Sequence, residues 1–265
     1  MVRVAIAFVL ALFVSASAWA GNWNNQNYKQ GVNKGYRFKD TDWSHTFYAS
    51  AGFPSNSEDR WNARWLEEGK TKFLRFRLFK GQIGTTKVDN KNRSGASFWE
   101  RAEVTSGSGA NNRFYFNKSK TYEITFRVRF VKGFVGDRET FFQIHQSNKN
   151  CRVGPIIMMK FSMESFQLAY HGGNIDYENT PNINQHYGKW VKFRLIYGPS
   201  EIRKGYAATE LSMNGKILAK QDLVLQSPCG QPYVKFGIYR AGYDNWPNKT
   251  SIIDYDYINI KEIIE

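Results

Sequence analysis

Hydrophobic and polar side chains alternate along most of this chain. In YEITFRVRFV, residues 122–131, every second residue is apolar and those between are mostly polar or charged. The same period of two recurs in KWVKFRLIYG, residues 189–198, and in YVKFGIYRAGYDN, residues 233–245. Side chains of a β-strand point alternately to the two faces of its sheet. Each segment therefore predicts a strand with one face in a hydrophobic core.

Further segments show the residue types and turn boundaries of strands. They are KFLRFRLF, SFWERAEV, TFFQIHQ, PIIMMKFS, SFQLAY, ATELSMNGKILA and SIIDYDYINIKEI. Asn214-Gly215, inside ATELSMNGKILA, predicts a tight hairpin turn. A helical turn is predicted only within residues 59–67.

Many short strands separated by turns are typical of sandwiches and barrels. We predict an all-β fold, a jelly-roll sandwich of two antiparallel sheets with a concave substrate groove across one of them. An immunoglobulin-like sandwich fits less well, because the chain is longer and lacks the Cys-Trp-Cys spacing.

The first twenty residues have the layout of a secretory signal peptide. Arg3 is followed by an apolar run over residues 4–14 and by Ala18-Trp19-Ala20, a small-x-small cleavage site. The run is shorter than the ~20 residues that span a bilayer, so no membrane span is expected. We predict a secreted or periplasmic protein in which residues 21–265 form one domain, with residues 21–70 as an irregular N-terminal arm.

The net charge predicts an anionic partner. Lys and Arg number 37 against 23 Asp and Glu, a formal charge of +14, and a positive surface attracts polyanions. Nucleic acid, anionic lipid and acidic polysaccharide all fit this charge, and export argues against nucleic acid. We expect a monomer that acts on an acidic polysaccharide.

The sequence contains two cysteines, Cys151 and Cys229. Export to an oxidising compartment predicts a disulfide between them. No His or Cys stands at ligand spacing from either one, so a metal site is not expected.

Three predicted strands carry unusual polar faces. With the apolar positions turned to the core, the opposite faces carry Arg101 and Glu103, Gln143 and His145, and Tyr233, Lys235 and Tyr239. On one sheet, these groups suit β-elimination at a uronic acid. Cations and amides neutralise the sugar carboxylate, while His and Tyr move protons. A glycoside hydrolase needs two carboxylates flanking the bond, whereas Glu103 stands alone beside Arg101.

The same residues carry a resemblance to a known family. ERAEV resembles the R-[ST]-E-[LV]-R motif of jelly-roll alginate lyases, QIH matches their Q-[IV]-H, and YVKFGIY matches their Y-x-K-x-G-x-Y, in the same chain order. Arg240 after the last Tyr looks more like the related heparin lyase I and glucuronan lyase groups. The resemblance spans about residues 95–260.

The resemblance implies a role for each matching residue. Arg101 and Gln143 would neutralise the carboxylate, and His145 would be the base or assist in neutralisation. Tyr239 would be the acid, and in some relatives it is also the base. Glu103, Tyr233, Lys235 and Arg240 would bind the substrate.

Two points stay open in the sequence. Thr105 stands where the family motif has its second Arg, so Lys235, Arg240 or Arg113 would have to replace that cation. No cofactor is expected; some relatives bind calcium, but no dense acidic loop resembles a calcium site. The alternative to a lyase is a non-catalytic, lectin-like jelly roll that binds acidic glycans in the same groove.

Overall fold

Two antiparallel β-sheets form the computed structural model of this chain. It describes residues 37–38, 40–49, 62–83, 89, 98–107, 114–131, 134, 138–147, 155–162, 165–170, 173–175, 181–199, 207–223, 230–242 and 250–264. Within these ranges there is no α-helix, and a 3-10 turn covers Ile183–Gln185. No helix among them is long and apolar enough to cross a membrane.

The strands follow the period-two segments closely. Their bounds are Arg37–Phe38 (β1), Phe47–Ala49 (β2), Ala63–Glu68 (β3), Thr71–Leu78 (β4), Phe98–Thr105 (β5), Thr121–Phe130 (β6), Glu139–Ser147 (β7), Ile157–Ser162 (β8), Ser165–Tyr170 (β9), Gly173–Ile175 (β10), Trp190–Pro199 (β11), Ala207–Met213 (β12), Lys216–Leu223 (β13), Gln231–Gly242 (β14) and Ser251–Ile263 (β15). The predicted hairpin turn at Asn214-Gly215 joins β12 to β13.

The strand order places distant segments of the chain side by side. Sheet A has the order β1-β2-β5-β14-β7-β8-β9-β10, and sheet B has the order β13-β12-β11-β6-β15-β4-β3. Strand β14 thus lies between β5 and β7, far from both in sequence. The two antiparallel sheets confirm the predicted all-β jelly roll.

The hydrophobic core fills the space between the sheets. Phe126 of sheet B stacks on Phe142 of sheet A with ring centroids 4.7 Å apart, and Phe236 meets Tyr255 across the same gap at 4.8 Å. Full burial of one such side chain stabilises the fold by roughly 1.5–3 kcal/mol. The core therefore fixes which face of each strand points outward.

Two expectations about the N-terminal part are wrong for the described residues. The helical turn within residues 59–67 is replaced by strand β3, in which Ala63 is buried and pairs with Phe76 of β4. The arm over residues 21–70 is not wholly irregular, since it contributes β1, β2 and β3. Backbone pairing with β4, which continues over all six residues of β3, outweighs the weak local helical pattern. The predicted signal peptide, Cys151 and Cys229 lie outside the described residues.

Candidate active site

Three neighbouring strands of sheet A bring the predicted site residues together. Strand β14 pairs with β5 on one side and with β7 on the other. The registered pairs are Tyr239 with Arg101, Lys235 with Gln143, and Tyr233 with His145. Residues far apart in the chain thus occupy adjoining positions on one sheet.

Strand alternation sets the face on which they lie. Val234, Phe236 and Ile238 of β14 are buried in the core between the sheets. Tyr233, Lys235 and Tyr239 therefore point to the other side of sheet A. We call this surface, with Arg101, Glu103, Gln143 and His145, the active face.

Glu103 is the centre of the active face. One carboxylate oxygen accepts a hydrogen bond from Nε2 of Gln143, and the other lies 3.4 Å from Nζ of Lys235 and 3.5 Å from Nη1 of Arg101. Arg101 and Glu103, neighbours on the same strand face, thus form an ion pair. A single buried carboxylate thus holds the three groups best suited to neutralise a sugar acid.

Arg101 is held from a second side by a residue that the strand pattern did not indicate. Its Nη2 donates to Oδ1 of Asp89 at 2.8 Å, and its Nε is buried without a hydrogen-bond partner among the described residues. Burial works against the charge, but Glu103 and Asp89 outweigh it and raise the pKa of Arg101. The guanidinium therefore stays charged and in place.

Tyr239 lies between an aromatic ring and a cation. Its ring stacks on Trp99 with centroids 5.1 Å apart and an interplanar angle of 21°, and Cζ of Arg101 lies 4.6 Å from its centroid. The stacking restricts the phenol ring, and the guanidinium favours negative charge on it. A phenolate formed at Tyr239 would be stabilised electrostatically.

His145 is a neutral imidazole in this setting. Burial is the main cause that lowers its pKa to about 3, and the charge of Lys235 adds to it. Its Nδ1 lies 2.9 Å from the backbone N of Gln146, 3.0 Å from the Gln146 carbonyl oxygen and 3.2 Å from the Tyr233 hydroxyl. The tautomer of the ring decides which of these contacts are hydrogen bonds.

Lys235 and Tyr233 have opposite protonation behaviour. Burial lowers the pKa of Lys235 to about 8, against the opposing attraction of Glu103. Burial, supported by the charge of Glu103, raises the pKa of Tyr233 to about 12. Tyr233 thus keeps its hydroxyl proton near neutral pH, whereas Lys235 can lose its charge in mildly alkaline solution.

Gly237 allows the backbones of β14 and β5 to approach closely. Its φ is +126°, a conformation that L side chains rarely adopt. A Cβ at this position would overlap the carbonyl oxygen of Ala102 and lie 2.9 Å from Cα of Glu103. The register between β14 and β7 shifts at the same place, between Phe236 and Tyr239. The glycine of the third motif is therefore needed for the backbone, in the middle of the active face.

The expectation that Arg240 binds substrate is wrong for this structure. Its side chain points into the sandwich, 1% of the residue is exposed, and its guanidinium pairs with Glu100 of β5 and Glu139 of β7. Its Nη1 also donates to Oγ of Ser251 in sheet B at 2.7 Å. We call these four residues the buried charge cluster. It lies behind the active face and cannot contact a polysaccharide there.

Of the three cations expected to replace the missing motif Arg, Lys235 lies on the active face. Thr105 is fully buried and pairs in register with Lys235. Arg240 is excluded by its burial, and Arg113 lies outside the described residues. No three His, Cys, Asp or Glu side chains in the described ranges are arranged to hold a metal ion.

Comparisons with known proteins agree with this arrangement. The family model described as polysaccharide lyase matches residues 59–259, and none of the curated proteins matches the chain in sequence. An endo-β-1,4-glucuronan lyase from the fungus Trichoderma reesei is similar in structure, with a TM-score of 0.55 at 12% identity over 87% of this chain and 94% of the fungal chain.

Two alginate lyases have a similar fold. The enzyme from Pseudomonas aeruginosa gives a TM-score of 0.52 at 17% identity, over 78% of this chain and 87% of that chain. A family 7 alginate lyase crystallised with its product gives 0.52 at 12% identity, over 79% of this chain and 86% of that chain. At these identities the likeness shows a common jelly-roll fold.

Proposed function

This chain belongs to the polysaccharide lyase family, and we propose that it cleaves a uronic-acid-containing polysaccharide by β-elimination, leaving a 4,5-unsaturated uronate end. The observation that carries this proposal is the convergence of Arg101, Gln143, His145, Lys235 and Tyr239 on one face of three paired strands. Of the chemistries considered, elimination next to a carboxylate makes use of every one of these groups.

Neutralisation of the substrate carboxylate is the first requirement. The C5 proton of a uronate becomes acidic enough to remove only when the neighbouring carboxylate is compensated. Arg101 and Lys235 provide two positive charges, which Glu103 and Asp89 hold in place, and Gln143 provides a second amide N–H. A substrate carboxylate bound here would lie beside two cations and accept hydrogen bonds from these groups.

His145 acts as a hydrogen-bond donor in this proposal. We assign the 2.9 Å contact with the backbone N–H of Gln146, and not the 3.0 Å contact with its carbonyl oxygen, as the hydrogen bond at Nδ1 of His145, which makes Nδ1 an acceptor. A neutral imidazole with an accepting Nδ1 carries its proton on Nε2. The Nε2–H group then assists Arg101 and Gln143 at the carboxylate instead of removing the C5 proton.

Tyr239 carries out the proton transfers. As a phenolate next to Arg101, its oxygen takes the C5 proton, and the C5–H electron pair becomes the C4–C5 double bond as the C4–O4 bond breaks. The phenol then gives this proton to the departing O4 oxygen. Tyr239 returns to its starting state, and no water is consumed.

Export and the substrate class belong to the same proposal. The signal-peptide pattern over residues 1–20 and the charge of +14 support a secreted or periplasmic enzyme that meets an anionic polymer. Glucuronan and alginate are the first polymers to test, with heparin-like and hyaluronan-like chains beside them.

An absorbance assay separates the candidate activities. Elimination produces the ultraviolet band of a 4,5-unsaturated uronate, hydrolysis produces reducing ends without that band, and a lectin produces neither. We expect the band with at least one of the four polymers. Absence of the band with all of them would contradict elimination at a uronate.

Two variants test the site, and a third is their control. Tyr239→Phe should lower kcat by about 10²–10⁴-fold, the usual range for loss of an acid–base group. His145→Ala should also lower kcat. Both variants should still bind the polymer. Tyr257→Phe, the same change on sheet B, should keep wild-type activity. Full activity of both site variants would refute the assignment.

A further inference from the structure

The outer face of sheet B is lined with cations that the active site does not use. Strands β3, β4, β15, β6 and β11 turn their apolar residues to the core, and the alternate positions point outward. Six of the outward cations are Arg64, Arg75, Arg77, Arg127, Arg129 and Lys192. We call this set the arginine face.

One row of this face crosses five strands. Arg64 pairs with Arg75, Arg75 with Asp254, Asp254 with Arg129, and Arg129 with Trp190. Adjacent strands lie about 4.8 Å apart, so the three arginines of this row, Arg64, Arg75 and Arg129, are spread across four neighbouring strands. An elongated ligand fits such a row better than a single small ion.

Asp254 orients two of the guanidinium groups from beneath. It is fully buried, and it accepts from Nε and Nη2 of Arg75 at 2.7 and 3.0 Å and from Nε of Arg129 at 2.9 Å. A guanidinium has five N–H groups, so this carboxylate occupies only part of each. The arginines are thus held in place with donors left for a ligand.

Cations outnumber carboxylates among the described residues of this face. Arg75, Arg127 and Arg129 pair there with Asp254, Asp256 and Glu68, and Arg64, Arg77 and Lys192 add three further cations. Burial lowers the pKa of Arg77, and repulsion from Arg75 and Arg64 lowers it further. A bound anion would relieve this repulsion.

Aromatic rings support the guanidinium planes. The Cζ atoms of Arg127 and Arg129 lie 5.2 and 4.8 Å from the ring centroid of Trp190, and Cζ of Arg129 lies 4.9 Å from the ring centroid of Phe73. Stacked, planar guanidinium groups bind carboxylates in a fixed orientation. The large exposed hydrophobic residues among the described ones, Ile217 and Ile264, lie outside this set. The face therefore lacks the apolar side chains that would enter a bilayer.

We propose that the arginine face is a second, non-catalytic binding site for acidic polysaccharide, on the opposite side of the sandwich from the active face. It would hold the enzyme on a polymer while the active face cuts. The choice of polymer rests on the proposed function, but binding at this face does not require catalysis.

The test compares two pairs of substitutions that remove the same charge. The face pair is Arg64→Gln with Lys192→Gln, and the control pair is Lys118→Gln with Lys216→Gln, two exposed lysines outside the face. All forms carry Tyr239→Phe to prevent cleavage, and their Kd for alginate and polyglucuronate is measured by affinity electrophoresis. We expect the face pair to weaken binding roughly three- to tenfold, from two partly exposed charges, and the control pair to change it less than twofold.

A parallel activity measurement on proteins that keep Tyr239 makes the two proposals distinguishable. The face pair should leave kcat/KM on a tetrasaccharide unchanged and lower it on long polymer. Equal weakening by both pairs, or none by the face pair, would overturn the second site even if lyase activity is found. If the face pair weakens binding to anionic phospholipid vesicles but not to the polysaccharides, the face would be assigned to membranes instead. If no lyase activity is found and the face pair still weakens binding, the proposed function fails and the second site stands.

Discussion

Gly237→Ala tests whether the close approach of β14 and β5 builds the active face. The new residue would be strained at φ +126°, which costs about 1–3 kcal/mol, and its methyl group would overlap the carbonyl oxygen of Ala102. Relief of that overlap needs a shift of about 1 Å between the strands, and overpacking of this kind adds about 1–3 kcal/mol. We expect the free energy of unfolding to fall by about 2–6 kcal/mol.

The same shift should damage catalysis. It would move Tyr239 away from Arg101 and Lys235 away from Glu103, and a displacement of about 1 Å typically costs on the order of 10²-fold in rate. Urea unfolding gives the stability, and the ultraviolet assay on folded protein gives kcat/KM.

Gly215→Ala is the matched control for this substitution. Gly215 also has a positive φ, +82°, but a Cβ there would meet nothing within 4 Å. The free energy of unfolding of Gly215→Ala should fall by only about 1–2 kcal/mol, the cost of the backbone conformation, and the variant should keep full activity. If Gly237→Ala loses no more stability than Gly215→Ala and remains fully active, the argument from close approach is incorrect.

Three further predictions concern charges. Because the pKa of Lys235 is about 8, kcat/KM should decline above pH 8 as the ammonium loses its proton, and Lys235→Gln should lower kcat/KM and abolish that decline; a decline that persists would point to another group. Because the pKa of His145 is about 3 when folded and near 6.5 when unfolded, the unfolded chain binds the extra proton between these values. Stability should therefore fall as the pH is lowered across that window, and His145→Gln should make the slope shallower in urea titrations at pH 4, 5 and 6.5; an unchanged slope would contradict the burial of His145. Arg240→Met should cost about 3–5 kcal/mol of unfolding free energy, since Glu100 and Glu139 would remain buried without their cation; a loss below about 1 kcal/mol would refute the buried charge cluster.

Alternation alone was sufficient to predict the outward-facing residues of the active face. In β5 and β14 it correctly placed Arg101, Glu103, Lys235 and Tyr239 on the side away from the core. It carries no information on which strands pair, because β5, β7 and β14 are not consecutive in the chain. Their adjacency followed from the three family motifs, which mark residues that relatives bring together.

Arg240 shows an error that the pattern itself could have prevented. It continues the series Val234, Phe236 and Ile238, so its position belongs to the core face, but a charge was expected to point to solvent. Its partner Glu139 could not be assigned in the same way, because the register shifts near Phe142 change the alternation in β7. Asp89 follows no strand period, so nothing in the sequence indicated its contact with Arg101.

The buried charge cluster has a consequence for the uniqueness of the fold. A slip of β14 by one residue would turn Arg240 toward water and force the Tyr239 hydroxyl into the interior, stranding two carboxylates without a counterion. Alternative strand alignments are thereby disfavoured by buried charges that never meet a sugar. The buried charge cluster thus fixes the strand alignment on which the active face depends, and it does so without any bound glycan.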